Sequence, residues 1–244
     1  MRRLVASAIV LPLLLGVAGC KSTKKEDKLL QELADLDKET IYARAEALFQ
    51  SKKYSDARRH FSFIYDTFPN DPLGHKAALR VADTYAVKTD SVNQTEARLR
   101  YKDFVNRYPN DPDRDYALLM LGQTHAKVTP RADRDLAPIR EALDAYEQLV
   151  NLYPESPHVA EARQRMGVLR EALAEHEWLV AEYYSRNKRW RGALWRLEYI
   201  VETYPEYSKL ELVQALMAEV QKRLEEREAL IEELKQKHSN LNED

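Results

Sequence analysis

Four aromatic–proline steps, Phe68-Pro69, Tyr108-Pro109, Tyr153-Pro154 and Tyr204-Pro205, divide the chain at intervals of 40, 45 and 51 residues. Spacing of that size is the signature of an array of supersecondary units, so a repeat is the first hypothesis to raise. The stretch before each proline has helical periodicity: Ala57, Phe61, Ile64 and Phe68 in the first, Ala97, Tyr101, Phe104 and Tyr108 in the second, Ala142, Tyr146, Leu149 and Tyr153 in the third, and Ala193, Leu197, Ile200 and Tyr204 in the fourth. Steps of three and four place each set on one helical face. The proline then ends the helix, because it lacks an amide donor and pushes the residue before it out of the helical region. Glycine is scarce, at six residues, and no Asn-Gly or Gly-Asn hairpin signal occurs, which argues against an all-β fold.

Upstream of each such helix the pattern predicts a partner helix carrying a small residue where two helices must approach closely: Ala45 with Leu48, Ala82 with Tyr85, Gly122 with His125, and Ala181 with Tyr184. These positions resemble the tetratricopeptide repeat (TPR), which has a small residue and an aromatic in its first helix, Ala-x3-Phe in its second and a closing proline. Ala45, Tyr54, Ala57, Phe61 and Pro69 fit it without insertion, as do Ala181, Trp190, Ala193, Leu197 and Pro205. The second and third repeats are longer, with extra residues around Thr89 to Gln94 and Lys127 to Pro138. From Pro157 to Asn187 the helical pattern is unbroken apart from Gly167, so the first helix of the fourth repeat is expected to extend at its N-terminus. Leu210, Val213, Met217, Val220, Leu224, Ile231 and Leu234 form a last amphipathic stretch that would complete a fifth unit and cap the array. Its charged end reads either as a solvated face or as a coiled-coil partner surface. The expected fold is an all-α, TPR-like helical-pair solenoid of about five repeats over residues 39–236, with a disordered tail at 237–244.

The N-terminus bears on the compartment. Arg2 and Arg3 precede an apolar run from Leu4 to Val17, shorter than the roughly 20 residues a spanning helix needs. It ends Val17-Ala18-Gly19-Cys20, which resembles the lipobox of bacterial lipoproteins and implies that residues 1–19 are a signal peptide and that Cys20 is acylated. The alternative is an ordinary signal peptide that leaves an unpaired thiol in an oxidising space. The polar segment 20–38 is expected to be a flexible tether, and Lys21 after the cysteine implies, by resemblance to sorting rules, the outer membrane. Cys20 is the sole cysteine, so neither a disulfide within the chain nor a thiolate metal cluster is available.

Lys and Arg number 38 against 40 Asp and Glu, a formal net charge of −2. That balance speaks against nucleic acid as a partner, which would call for a basic stripe. No HExxH, GxSxG, P-loop or GxGxxG pattern is present. Neither a cofactor nor a metal nor catalysis is expected. His125 falls at a repeat core position and reads as a packed inter-helix residue before a catalytic or ligating one.

A helical-pair array offers a concave surface lined by its first helices, suited to extended peptides. By the TPR pattern, groove-facing positions lie three and six residues before the small residue and one and four after it. That selects Glu39, Tyr42, Glu46 and Phe49 in the first unit, Lys76, Leu79, Asp83 and Ala86 in the second, and Tyr116, Leu119, Gln123 and Ala126 in the third. Of these, Tyr42, Phe49, Lys76, Leu79, Asp83, Tyr116 and Gln123 are the candidate peptide-groove residues. Their aromatics and lysine suit a peptide with aromatic side chains that ends in a carboxylate.

Segments beyond the repeat pattern narrow the resemblance. Val180-Ala181-Glu182-Tyr183-Tyr184 with Trp190 and Arg196-Leu197-Glu198, and Pro109-Asn110 with Asp115-Tyr116, Met120, Gly122 and Asp133-Arg134-Asp135, resemble the BamD family of envelope lipoproteins. The likeness covers nearly all of Ile41 to Met217, with the loop between Gln123 and Ala142 shortened. It implies a lipid-anchored protein on the periplasmic face of the outer membrane, within the β-barrel assembly complex. The implied partners are the POTRA-containing barrel-forming subunit, unfolded outer-membrane proteins, and accessory lipoproteins. It also implies that Arg196, on the second helix of the fourth repeat, pairs with an acidic residue of the POTRA domain, where the plainer reading is a solvated helix charge. A second expectation keeps the anchor and repeats but makes the chain an envelope TPR adaptor for peptidoglycan enzymes or the Tol-Pal system.

Overall fold

The computed structural model describes residues 20–127 and 136–240, and these hold ten α-helices and no strand. They are α1 (Cys20–Ala34), α2 (Lys38–Gln50), α3 (Tyr54–Thr67), α4 (Pro72–Ala86), α5 (Ser91–Arg107), α6 (Arg114–Ala126), α7 (Ala137–Leu152), α8 (Val159–Arg186), α9 (Trp190–Thr203) and α10 (Leu210–Asn240). The chain divides into two compact units at Ala77 and Ala78, inside α4. The architecture is that of a TPR-like helical repeat, as the aromatic–proline pattern requires. Residues 1–19, expected to be a signal peptide, and the Asp133-Arg134-Asp135 loop lie outside the described residues.

Each aromatic–proline step ends a helix in the same way. Phe68, Tyr108, Tyr153 and Tyr204 are the C-caps of α3, α5, α7 and α9, with φ between −121° and −131° and ψ between 56° and 68°. Each donates its amide to the carbonyl four residues back, from Ile64, Phe104, Leu149 and Ile200 respectively, at 2.9 Å. The proline that follows forces this departure from helical ψ by sterics alone, so the four ends are alike whatever packs around them.

In the first unit, α2 and α3 close over Ile41, Ala45, Ala57, Phe61 and Ile64, all fully buried. The Asp37 carboxylate caps α2 by accepting from the Thr40 amide at 2.8 Å, and the same hydrogen bonding holds its pKa below the usual aspartate value. Lys38 pairs with Asp71, whose carboxylate also accepts the Leu73 amide at 2.9 Å as α4 begins. Gly74 is required there, because a Cβ would stand 1.9 Å from the Phe68 carbonyl oxygen.

The second unit has two apolar clusters. One gathers α5, α6, α7 and the N-terminal half of α8 around Tyr101, Leu118, Ile139, Tyr146 and Leu149; the other gathers the rest of α8 with α9 and α10 around Ala181, Leu197, Ile200 and Val213. At Gly122 a Cβ would lie 2.4 Å from the Tyr146 ring, which is the close approach the small-residue position anticipates. The expected N-terminal extension is present: α8 runs 28 residues.

Two expectations need correction. The segment expected as a flexible tether, residues 20–38, is helical over Cys20–Ala34. It contains no glycine or proline, and Leu29 and Leu33, one turn apart, share a face whose Leu33 is wholly buried. Helix propensity and one apolar stripe decide the matter over polar composition. The last amphipathic stretch is one helix, α10, as expected; it buries Val213 and Val220 and then runs on exposed from Glu225. Finally, α10 continues to Asn240 through the start of the expected disordered tail; residues 241–244 lie outside the described ones.

Candidate partner-binding surfaces

The candidate groove residues fall into distinct environments. In the first unit Tyr42 and Phe49 are half-buried, packed edge-on against Phe61 at 5.3 Å and Tyr54 at 5.2 Å. They line the seam between α2 and α3. Lys76 is exposed.

In the second unit Leu79 and Asp83, expected to face a ligand, are buried instead, and this corrects the expectation. Asp83 is 5% exposed and fully engaged: one carboxylate oxygen accepts the Tyr101 hydroxyl at 2.5 Å and the Tyr116 hydroxyl at 2.9 Å, and the other accepts Arg80 at 2.7 Å. An anion buried this deeply needs such partners, and here the arginine supplies the charge and the tyrosines supply the remaining hydrogen bonds. Burial, aided by the neighbouring Asp83 charge, pushes both phenols well above their ordinary pKa. Tyr116 is thereby fixed by its hydroxyl while its half-buried ring lies 5.8 Å from that of His158. Gln123 donates to Glu161 at 3.0 Å. His125 is buried, its Nδ1 3.0 Å from a Glu141 carboxylate oxygen. Burial lowers its pKa, against the pull of Glu141. Among the described residues no group of three or more His, Cys, Asp or Glu is arranged to hold a metal ion.

The face of α9 is different in character. Arg196 forms an ion pair with Glu177 of α8, a residue only 7% exposed. Its guanidinium also lies 4.9 Å from the centre of the Trp195 ring. Trp195 is 58% exposed and stacks on Tyr199, with centroids 6.0 Å apart and planes 11° from parallel. Tyr199 in turn meets Tyr204 edge-on at 5.9 Å. Arg196 is therefore no freely solvated charge. Glu177 and Trp195 hold it in one place, and its buried Nε has no hydrogen-bond partner among the described residues. Sequence reading found Arg196 but missed Glu177, Trp195 and Tyr199. A signal for the aromatics was present: 195 and 199 are one turn apart and out of phase with the core positions 193, 197 and 200, so a tryptophan and a tyrosine there must face outward.

An all-helical repeat whose described surfaces carry exposed aromatics and paired charges defines the class of TPR-like helical-repeat proteins. The chain belongs to the YfiO family of outer membrane lipoproteins, whose family model matches residues 34–237. It is similar to the outer membrane protein assembly factor BamD of Vibrio cholerae, 36% identical over 76 residues that make up 31% of this chain and 32% of that one. It is 33% identical to BamD of Haemophilus influenzae over 76 residues, 31% of this chain and 29% of that protein. These two alignments take in about three tenths of each relative's length. A longer one, to BamD of Neisseria gonorrhoeae, is 27% identical over 227 residues and covers 89% of this chain and 85% of that one.

Proposed function

We propose that this protein is a lipid-anchored, non-catalytic scaffold and receptor for outer-membrane protein assembly. It would be held by an acylated Cys20 to the periplasmic face of the outer membrane. There it binds a POTRA-containing barrel subunit through the Arg196 face and unfolded outer-membrane proteins through first-helix surfaces that include Tyr42, Phe49, Lys76, Tyr116 and Gln123. Family membership over residues 34–237 supports the assembly role. The observation that carries the partner assignment is the α9 surface: an exposed tryptophan stacked on a tyrosine beside an arginine that a buried glutamate holds in place. Exposed tryptophan and arginine in a rigid arrangement are what interface anchors are made of. Confinement of both partners to one membrane surface supplies effective concentration, so the contact with an unfolded substrate can be weak, in the micromolar range or about −8 kcal/mol, and still release its strand.

Replacing Arg196 by glutamate tests the assignment. The substitution puts a second carboxylate against Glu177 and reverses the charge offered to a partner's acid. Co-purification of the POTRA subunit from cells is expected to fall about tenfold or more. Undiminished co-purification would remove Arg196 and its face from the reading.

A further inference from the structure

Between α7 and α9, floored by α8, lies a cleft of about 890 Å³. This is near the top of the size range of ligand pockets, and the groove-facing and Arg196 readings leave it without a role. Its apolar lining includes Leu143, Val150 and Met166, and its far rim is the turn after α9. That rim is strapped down: the Tyr207 hydroxyl donates to Glu175 at 2.5 Å, and the Ser208 amide donates to Glu171 at 3.2 Å. The cleft is therefore preformed.

Gly167 stands in its floor, midway along α8. A glycine inside a helix costs about 0.5–1 kcal/mol relative to alanine, so its presence calls for a reason. At Gly122 and Gly192 the reason is internal, since a Cβ would strike the rings of Tyr146 and Tyr184. At Gly167 a Cβ would meet nothing within 4 Å. Among the described residues nothing uses the space that the missing side chain leaves, and Gly167 lines the cleft.

The charges around the cleft indicate what fills it. Its lining carries Arg163 and Arg170 against Glu147, Glu171, Glu202 and Glu206. Arg170 is paired with Glu147 at 3.1 Å and Glu171 is engaged by Ser208. Glu202, Glu206 and Arg163 have no ion-pair or hydrogen-bond partner among the described residues, so two unpaired carboxylates and one unpaired arginine line the cleft. We propose that this cleft docks a short segment of a partner polypeptide that lays apolar side chains against Leu143, Val150 and Met166, approaches the α8 backbone at Gly167, and sets a lysine or arginine against Glu202 and Glu206.

The probe is a fluorescent peptide of about eight residues alternating leucine and lysine, compared with the same peptide carrying glutamate for lysine, each titrated by anisotropy into the purified full-length chain. The lysine peptide is expected to bind about tenfold more tightly than its glutamate counterpart, because like charge against Glu202 and Glu206 is penalised. Gly167→Leu, which fills the open space, should weaken binding about tenfold while leaving the melting temperature unchanged or raised, since leucine favours helix and meets no clash. The pair Glu202→Lys and Glu206→Lys should weaken it as much. The same charge change at the exposed Glu225 and Glu226 of α10 should not. Equal affinity for the two peptides, wild-type binding by Gly167→Leu, or an equal loss from the α10 pair would each overturn the assignment.

Discussion

The first and fourth helix pairs are built on one frame and differ in where they direct their aromatics. In both, the turn between the two helices holds a lysine in the left-handed region, Lys52 at φ 60° and Lys188 at φ 57°. In both, the residue after that lysine donates its amide to a carbonyl five residues back, from Leu48 and Tyr184, at 2.9 Å. The second helix of each begins at an aromatic, Tyr54 or Trp190, and closes on an aromatic–proline step. Yet α2 and α3 turn their rings into the seam, as in the contacts of Tyr42 with Phe61 and Phe49 with Tyr54, whereas α9 sets Trp195 and Tyr199 outward beside Arg196. The backbone frame belongs to the short turn that the two pairs share. What a pair offers to a partner is decided at positions out of phase with that frame.

Paired substitutions break the comparison most directly. Phe61→Ala removes a fully buried ring and is expected to cost about 3–5 kcal/mol, read as a lowered urea midpoint. Trp195→Ala, at an exposed site, should change stability by less than about 0.5 kcal/mol and yet lower co-purification of the POTRA subunit. A Trp195 variant that unfolds readily but still captures the partner would show that the ring is structural.

Three residues after the small residue, the register holds Leu48 in the first pair, Tyr184 in the fourth and His125 in the third. Only the histidine makes that position pH-sensitive near neutrality. Burial depresses its pKa below the ordinary 6.5, so the unfolded chain takes up a proton at higher pH than the folded one does. Its contribution is therefore fully present above pH 6.5 and is lost as pH falls from there toward the folded value. Urea midpoints at pH 7.5 and 5.5 are expected to differ less in His125→Leu than in the wild type, and an unchanged difference would locate the sensitivity elsewhere.

The smallest effect tests the frame itself. Lys52→Gly and Lys188→Gly relieve the left-handed strain of an L-residue but free the unfolded chain, for a net gain of about 0.5 kcal/mol each. Equal gains are expected by chemical denaturation, because the two turns share one geometry. Unequal gains would mean that the turns are coupled differently to their surroundings.

Helix ends, helix-pair spacing and small-residue contacts were legible in the sequence because each arises within a turn or two of chain. Pro69, Pro109, Pro154 and Pro205 act on the residue immediately before them, and Ala45, Gly122 and Ala181 mark where a neighbouring helix must come close. The candidate surfaces were legible only in part. Tyr116 and Gln123 are half-buried as groove residues can be, but the same register put Leu79 and Asp83 on a face that the packing of the second unit covers. Asp83 draws its partners from three, 18 and 33 residues away, and no local rule reports such contacts. The polar composition of residues 20–38 likewise suggested a tether, because a single buried leucine on α1 leaves a faint periodic signal.

By itself, the sequence determined that the chain is a series of helix pairs, and it determined where most of those helices stop, because proline sterics and helical periodicity act over a few residues and tolerate any tertiary setting. Only the tertiary structure decided that Asp83 is a buried anchor, that Glu177 holds Arg196, and that Gly167 lines a cleft. Burial and charge pairing depend on which distant side chains arrive at the same place, and the free energy of a carboxylate or a missing methyl group changes with that company.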